Sequence, residues 1–235
     1  TLEVKLSSEI MNIRIRKNGD KFEIPKPGFS LFTSLVVGPG LGMRTDGEIL
    51  MRQLLMEYAG PLVIDADGLN LIGDYKLHEL LSRRPGPTVL TPHPGEMSRL
   101  LGRSKEDVSE NPLSCVKEAV ERTGATVLLK GATTLVHSPE GTTWLNHYPN
   151  DGMATAGSGD VLAGMIGGLL GQHMQPLEAT KLGVYLHTLS GRFAAELCGH
   201  RSMTSLDIIG NIREAFKELR EHQSSRITSA CEKII

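Results

Sequence analysis

Residues 150–164 read Asn150-Asp151-Gly152-Met153-Ala154-Thr155-Ala156-Gly157-Ser158-Gly159-Asp160-Val161-Leu162-Ala163-Gly164. This glycine-rich loop runs directly into an apolar helix. The backbone of such a loop approaches a ligand closely, and the free N–H groups of the helix N-terminus favour a phosphate there. Because a carboxylate beside an anion site repels phosphate, Asp160 indicates a base that takes a proton from a nucleophilic hydroxyl. The alternative is that Asp160 caps the helix and the glycines allow close packing.

Upstream of this loop, four short apolar runs alternate with helix-like segments and glycine-rich joints. The runs cover residues 35–37, 62–64, 88–90 and 126–129. Continuous apolar runs are typical of strands covered on both faces, so the pattern predicts βα units around a mainly parallel sheet. Residues 133–137 and 142–146 flank a Ser138-Pro139-Glu140-Gly141 turn, which predicts an antiparallel hairpin at the edge of that sheet.

The C-terminal part of the chain has helical periodicity. Apolar residues recur at three- and four-residue steps over residues 159–170, 177–197 and 206–220, which predicts three helices. The last dozen residues are polar and unpatterned, and they predict a loose tail. No internal repeat or low-complexity linker divides the chain, so residues 1–235 are expected to form one α/β domain.

Composition excludes several classes of protein. The chain has 235 residues, 40% of them hydrophobic and 22% charged, with a formal net charge of -2. It lacks the basic excess that non-specific nucleic-acid binding requires, and residues 161–170 are too short to cross about 30 Å of hydrocarbon. Three widely spaced cysteines, Cys115, Cys198 and Cys231, fit neither a disulfide framework nor a zinc site. We therefore expect a cytoplasmic protein without nucleic-acid or membrane partners.

Four further motifs precede the glycine-rich loop along the chain. They are Val37-Gly38-Pro39-Gly40-Leu41-Gly42, Asp65-Ala66-Asp67-Gly68-Leu69-Asn70, Thr91-Pro92-His93-Pro94-Gly95-Glu96 and Lys130-Gly131. Together with the loop they resemble the ADP-dependent NAD(P)H-hydrate dehydratases, a branch of the ribokinase-like kinases that also forms the C-terminal part of bacterial bifunctional repair enzymes. The resemblance implies a ribokinase-like three-layer αβα fold with a mainly parallel central sheet and an antiparallel edge hairpin.

The resemblance also implies an activity and a site. A carbon–oxygen lyase of this kind converts NADHX and NADPHX back to NADH and NADPH, with ADP preferred over ATP as phosphoryl donor and Mg²⁺ as counter-charge. Asp160 is the implied catalytic base. The implied substrate-binding residues are Gly40, Asp67, Asn70, His93, Pro94, Gly95, Glu96 and Asp160. The implied nucleotide-binding residues are Lys130, Gly131, Ala132, Thr133, Thr134, Asn150, Gly152, Met153, Ala154, Thr155, Ala156, Gly157, Ser158 and Gly159. The family further suggests a homo-oligomer, often a tetramer.

Taken alone, the same residues have structural interpretations. Residues 38–42 are also consistent with a tight βα turn, and Asp67 with a cap on the following helix. His93 is equally consistent with a structural histidine, Glu96 with a favourable charge at a helix N-terminus, and Lys130 with a solvated lysine at a strand end.

The chain departs from the family in its first residues. The family's opening βαβ unit, with its glycine-serine and tyrosine-glycine-alanine segment, is not recognisable, and we expect that unit to be absent from this chain. Two rival functions stand beside the dehydratase. One is a ribokinase-like kinase for a vitamin precursor or sugar, which shares the Asp160 loop. The other, suggested by the missing N-terminal unit, is a nucleotide-binding fragment without turnover.

Overall fold

The computed structural model describes residues 15–24, 26, 28–221 and 232–234. The strands are β1 Arg16–Asn18, β2 Lys21–Glu23, β3 Leu35–Val37, β4 Leu62–Ile64, β5 Thr88–Leu90, β6 Thr126–Leu129, β7 Thr133–His137, β8 Thr143–His147 and β9 Glu232–Ile234. The α-helices are α1 Thr45–Glu57, α2 Asp67–Asp74, α3 His78–Ser82, α4 Pro94–Leu101, α5 Lys105–Glu110, α6 Pro112–Thr123, α7 Ser158–Gly171, α8 Pro176–Cys198, α9 Ser205–Gly210 and α10 Ile212–Glu221. Two 3₁₀ helices lie at Gly28–Leu31 and Asp151–Met153.

Seven of these strands form one mixed sheet in the order β3-β4-β5-β6-β7-β8-β9. The first four are parallel, and the sheet turns antiparallel from β7 onward. All four apolar runs are strands with the predicted limits, and the hairpin is confirmed with its second strand one residue later than expected. β1 and β2 pair separately as a small antiparallel ribbon.

Helices cover both faces of the sheet because successive strand residues point to opposite sides. On one face Ile64, Leu90 and Val127 pack against side chains of α1 to α6. On the other face Val63 and Val89 pack against α7 and α8. Every residue of β4, β5 and β6 is buried, which explains why these strands are continuously apolar rather than alternating.

Two predictions need correction at the C-terminal end. The helix expected over residues 206–220 is interrupted at Asn211, whose Nδ2 donates to the Asp207 carbonyl oxygen over 2.8 Å. An asparagine side chain competes in this way with the backbone for helical carbonyl groups, and Gly210 lowers helix propensity just before it. The predicted loose tail is wrong for Glu232–Ile234, which pairs with β8 and satisfies the backbone groups of that strand. Residues 224–231 and 235 of that tail lie outside the described residues.

Of the helices in the described part of the chain, none combines the length and the apolarity that crossing a bilayer demands.

Candidate active site

The carboxyl ends of the parallel strands and the N-terminus of α7 meet at one edge of the sheet. Asp65 directly follows β4, Lys130 directly follows β6, and Gly159 lies in the first turn of α7. The Lys130 ammonium is 2.7 Å from Asp65 Oδ1, and a Cβ placed on Gly159 would lie 3.2 Å from the same ammonium. Three segments distant in sequence thus converge where open α/β sheets place their ligands.

One ammonium serves two buried carboxylates at this point. Asp65 is 1% exposed and Glu96 is 7% exposed, and Lys130 Nζ lies 3.6 Å from Glu96 Oε2. Burying a carboxylate without a partner is costly, so Lys130 compensates mainly Asp65 and only partly Glu96. The interpretation of Lys130 as a solvated lysine at a strand end is therefore wrong.

Glu96 and His93 form a reciprocal cap at the start of α4. His93 Nδ1 accepts from the Gly95 N–H over 2.9 Å, and Glu96 Oε2 accepts from the His93 N–H over 2.8 Å. Pro94 occupies the first helical position, where no N–H is needed. Both residues thus have the structural role that was the alternative to substrate binding: they cap the N-terminus of α4. The His93 side chain nevertheless remains half exposed and faces the cavity described below.

The glycine loop after β3 is anchored by Asp67. Its Oδ2 accepts from the Gly42 N–H over 2.8 Å, whereas the N-cap of α2 is Ala66. Asp67 therefore holds the loop and does not cap the helix. Gly38 has φ +124°, and a Cβ there would lie 1.7 Å from the Asp65 carbonyl oxygen, so only glycine fits. Gly40, by contrast, is open to a ligand, because a Cβ placed on it would meet no atom within 4 Å.

Asn70 is the fourth residue of α2, which follows β4 in the chain. Its Oδ1 is buried and has no hydrogen-bond partner among the described residues. An unsatisfied buried amide oxygen of this kind is costly in a folded protein. The predicted substrate contact of Asn70 is consistent with this geometry but stays a prediction.

A cavity of about 780 Å³ opens between the Lys130 segment and the loop that leads into α7. Eleven of the predicted site residues line it: His93, Lys130, Gly131, Ala132, Thr134, Asn150, Met153, Ala154, Thr155, Ser158 and Gly159. The predicted nucleotide segments are therefore neighbours in space, and the cavity is large enough for a nucleotide.

Four predicted nucleotide residues do not line this cavity, namely Thr133, Gly152, Ala156 and Gly157. Thr133 begins β7 and bonds His147 through its hydroxyl. Gly152 packs against Met203, where a Cβ would lie 2.3 Å from the sulfur. Gly157 is the N-cap of α7 with φ +84°, so it shapes the turn into the helix.

Asp160 points to a different space. It lines an open hollow of about 510 Å³ with Gly157, Val161, Ser205 and Ile209, and it is exposed. The N-cap of α7 is Gly157, and Asp160 is the third helical residue, with no capping hydrogen bond from its side chain among the described residues. The first turn of α7 thus has the cavity on one side and the Asp160 carboxylate on the other.

His187 is a site residue that sequence reasoning missed. It lies on α8, lines the cavity, and its Nε2 donates to the Ser158 carbonyl oxygen over 3.0 Å. Burial lowers the pKa of His187 to about 4, and the nearby Lys130 ammonium acts in the same direction. The imidazole is therefore neutral at physiological pH. Because the contact depends on how α7 packs on α8, no local pattern reveals it.

The far wall of the cavity holds further side chains that the sequence motifs do not include. Asn146 Nδ2 donates to the Thr188 hydroxyl over 2.8 Å, and Tyr148 lines the same wall. Among the described residues there is no cluster of three or more histidine, cysteine or carboxylate groups that would hold a metal ion.

Comparisons with known proteins agree with the interpretation of the motifs. The family model described as NAD(P)H-hydrate dehydratase matches residues 11–214. The chain is 42% identical over 187 residues to the bifunctional NAD(P)H-hydrate repair enzyme Nnr of Thermofilum pendens, covering 80% of this chain and 35% of that protein. It is 40% identical over 165 residues to the ADP-dependent (S)-NAD(P)H-hydrate dehydratase of Neisseria meningitidis serogroup B, covering 70% of this chain and 56% of that one.

Solved structures share the architecture. The ADP/ATP-dependent NAD(P)H-hydrate dehydratase of Bacillus subtilis, co-crystallised with ATP/Mg²⁺, superposes with a TM-score of 0.69 at 27% identity, covering 79% of this chain and 64% of that chain. A ribokinase-like superfamily protein from Enterococcus faecalis V583 gives a TM-score of 0.66 at 27% identity, covering 79% and 63%. The predicted ribokinase-like fold is thereby confirmed.

Proposed function

The chain belongs to the NAD(P)H-hydrate dehydratase family, and from that premise we propose that it uses an adenine nucleotide, preferably ADP, to dehydrate (6S)-NADHX and NADPHX to NADH and NADPH. The observation that carries the proposal is the cavity in which the Lys130 segment faces the glycine-rich entry to α7. The chain spans 35% of the length of the bifunctional relative and 56% of the length of the single-activity one.

The proposed reaction is a phosphoryl transfer followed by an elimination. The ring hydroxyl of the hydrated nicotinamide attacks the terminal phosphorus of ADP, the bond from that phosphorus to the AMP oxygen breaks, and AMP leaves. The carbon–oxygen bond of this phosphate ester then breaks, inorganic phosphate leaves with the bonding electron pair, and the neighbouring ring carbon loses a proton to solvent. A carbon–carbon double bond forms and restores the dihydropyridine. Phosphorylation thus converts a poor leaving group into a good one.

The residues of this chain divide that work between the two sides of α7. In phosphoryl transfer the attacking and leaving oxygens lie in line, on opposite sides of the phosphorus. The cavity takes the nucleotide, and the hollow beside Asp160 takes the ring hydroxyl. The N–H groups of the first turn of α7 lie between them and stabilise the charge on the transferring phosphoryl group. Asp160 accepts the hydroxyl proton.

Magnesium fits this site as an ion carried by the nucleotide. Mg²⁺ is commonly bound by substrate phosphates with only one or two carboxylates, rather than by a protein cage. Among the described residues, the Lys130 ammonium contacts two buried carboxylates, Asp65 at 2.7 Å and Glu96 at 3.6 Å, and the charge of Glu96 is the less completely compensated of the two. When bound, the ion neutralises phosphate charge during transfer.

The test is recovery of the reduced-nicotinamide absorbance from NADPHX. The assay is run with ADP, with ATP and without nucleotide, each with Mg²⁺. We expect recovery with nucleotide only, and faster with ADP than with ATP. ADP binding without any recovery would contradict the dehydratase and favour a nucleotide-binding fragment. In a parallel assay, a vitamin precursor or sugar replaces NADPHX. A stable phosphorylated product there would favour the kinase.

Three further expectations remain predictions. They are that the chain is a single domain, that it forms a homo-oligomer such as a tetramer, and that it is cytoplasmic. Size-exclusion chromatography with light scattering tests the second.

A further inference from the structure

We propose that Asp65 is a positioning residue that acts through Lys130, fixing the lysine ammonium beside the first turn of α7, where it meets the nucleotide phosphates. The role in phosphate binding rests on the proposed function, whereas the holding of Lys130 by Asp65 does not. Asp65 is not among the residues that the sequence motifs assign to the substrate or the nucleotide.

The geometry makes Asp65 the principal partner of Lys130. The Asp65 carboxylate is 1% exposed, follows buried β4, and its Oδ1 lies 2.7 Å from the Lys130 ammonium. Glu96 is farther, at 3.6 Å, and its Oε2 already accepts the His93 N–H. The lysine side chain is itself only 19% exposed. A buried, short, charge-assisted contact of this kind fixes an otherwise flexible lysine.

Gly159 completes the arrangement on the helix side. A Cβ at Gly159 would lie 3.2 Å from the Lys130 ammonium and 3.6 Å from Asp65 Oδ2. The ammonium therefore occupies the space where a side chain of the first turn would be. This places the Asp65–Lys130 pair against the first turn of α7. The Ser158 N–H of that turn donates to the Thr155 carbonyl oxygen, whereas the N–H groups of Gly159 and Asp160 have no backbone acceptor among the described residues and can bind an anion.

Electrostatics explain why the lysine needs a resident anion. The N-terminus of α7 carries partial positive charge, so an ammonium beside it is unfavourable unless an anion is also present. Without nucleotide, Asp65 supplies that anion. When phosphate arrives, the ammonium lies between two anions, the Asp65 carboxylate and the phosphate, and is held in register with the helix N-terminus.

The first experiment is a double-mutant cycle on ADP affinity, measured by calorimetry with Mg²⁺. The variants are Asp65→Asn, Lys130→Met and the two combined. We expect Asp65→Asn to weaken ADP binding about tenfold. This change in affinity corresponds to part of the free energy that one charge-assisted hydrogen bond contributes. In the Lys130→Met background the same change should have no further effect. Tighter binding by Asp65→Asn would mean that Asp65 only repels phosphate, and an equal loss in both backgrounds would mean a scaffold role; either overturns the proposal.

The cycle remains informative if Asp65→Asn alone does not fold. That variant leaves a buried ammonium without its main partner, whereas the combined variant removes both charges. Comparison of Lys130→Met with the combined variant then decides. Equal ADP affinity supports the proposal, and a weaker combined variant overturns it.

The second experiment reports on the lysine without any nucleotide. Lys130 is labelled with an amine-reactive reagent and quantified by peptide mass spectrometry against the exposed Lys21. We expect faster labelling of Lys130 in Asp65→Asn and no change at Lys21. Unchanged labelling of Lys130 overturns the proposal. If the unaltered chain binds no ADP, the proposed function fails, and so does the proposed contact of Lys130 with phosphate. The labelling result still shows whether Asp65 holds Lys130 in place.

Discussion

His187 Nε2 lies 3.0 Å from the Ser158 carbonyl oxygen, and this hydrogen bond ties α8 to the first turn of α7. A carbonyl oxygen only accepts, so Nε2 carries the proton and the neutral imidazole has its free electron pair on Nδ1. Ser158 begins the helix whose N-terminus faces the cavity. The position of the candidate phosphate site therefore depends on this hydrogen bond, while burial and the Lys130 ammonium favour the neutral form of the imidazole.

The stability of the protein should consequently fall as the pH is lowered through the range from 6.5 to about 4. The unfolded chain binds a proton at His187 near pH 6.5, whereas burial lowers the folded pKa to about 4. A depressed folded pKa means that the stabilisation is present above pH 6.5 and is lost on acidification. The full loss corresponds to about 3 kcal/mol at most. Urea unfolding at several pH values measures it.

The matched variants for this prediction are His187→Gln and His173→Asn. Glutamine keeps a donor for the Ser158 carbonyl but does not titrate, so its stability profile should be flatter between pH 6.5 and 4. The exposed His173 is the control, and its replacement should leave the slope unchanged. Parallel profiles for His187→Gln and the unaltered chain would contradict the assignment.

Replacement of Asp160 by asparagine should lower the turnover of NADPHX by about 10²-fold or more, because it removes the general base and keeps the shape. ADP affinity should change little, since Asp160 lies outside the wall of the nucleotide cavity. Initial rates and calorimetry with Mg²⁺ measure the two effects. Asp74→Asn, at an exposed carboxylate at the end of α2, is the control and should behave like the unaltered chain. Near-normal turnover in Asp160→Asn would exclude the base.

The sequence predicted the sheet better than the site. Buried parallel strands need continuous apolar runs, so β4 to β6 were visible as such. The same kind of run marked β3, although Val36 in this edge strand is exposed, and the Ser138–Gly141 turn marked the hairpin. The break at Asn211 was not visible, because it depends on one side chain competing for one carbonyl group. Motifs indicated which segments meet at the cavity, since the ends of parallel strands must share one edge. They did not reveal His187 or the placement of Asp160 beside a separate hollow, because both depend on how α7 packs against α8 and α9.

Asp67→Ala should loosen the glycine loop after β3. The Asp67 carboxylate accepts from the Gly42 N–H over 2.8 Å, and loss of a hydrogen bond to a charged group costs about 2 kcal/mol. Hydrogen exchange measured by mass spectrometry should become faster in peptides that cover residues 38–47. The KM for NADPHX should rise more than kcat falls, because the family resemblance assigns Gly40 of this loop to substrate binding. Asp67→Asn, which keeps an acceptor, should show a smaller effect than Asp67→Ala, and equal exchange in all three proteins would contradict the anchoring role.

Gly159→Ala tests whether the crowding beside Lys130 matters for nucleotide binding. Gly159 does not have a positive φ, so alanine is compatible with the backbone, but its Cβ would lie 3.2 Å from the Lys130 ammonium. That contact is tight enough to push the ammonium away from the first turn of α7, and we expect ADP binding to weaken by roughly threefold to tenfold, about 0.7 to 1.4 kcal/mol. Gly168→Ala, on the exposed face of the same helix with no atom within 4 Å, is the matched control. It should raise the free energy of unfolding by about 1 kcal/mol through helix propensity and leave ADP affinity unchanged. Equal ADP affinities in the two variants would mean that the space beside Gly159 is not needed for the lysine to reach phosphate.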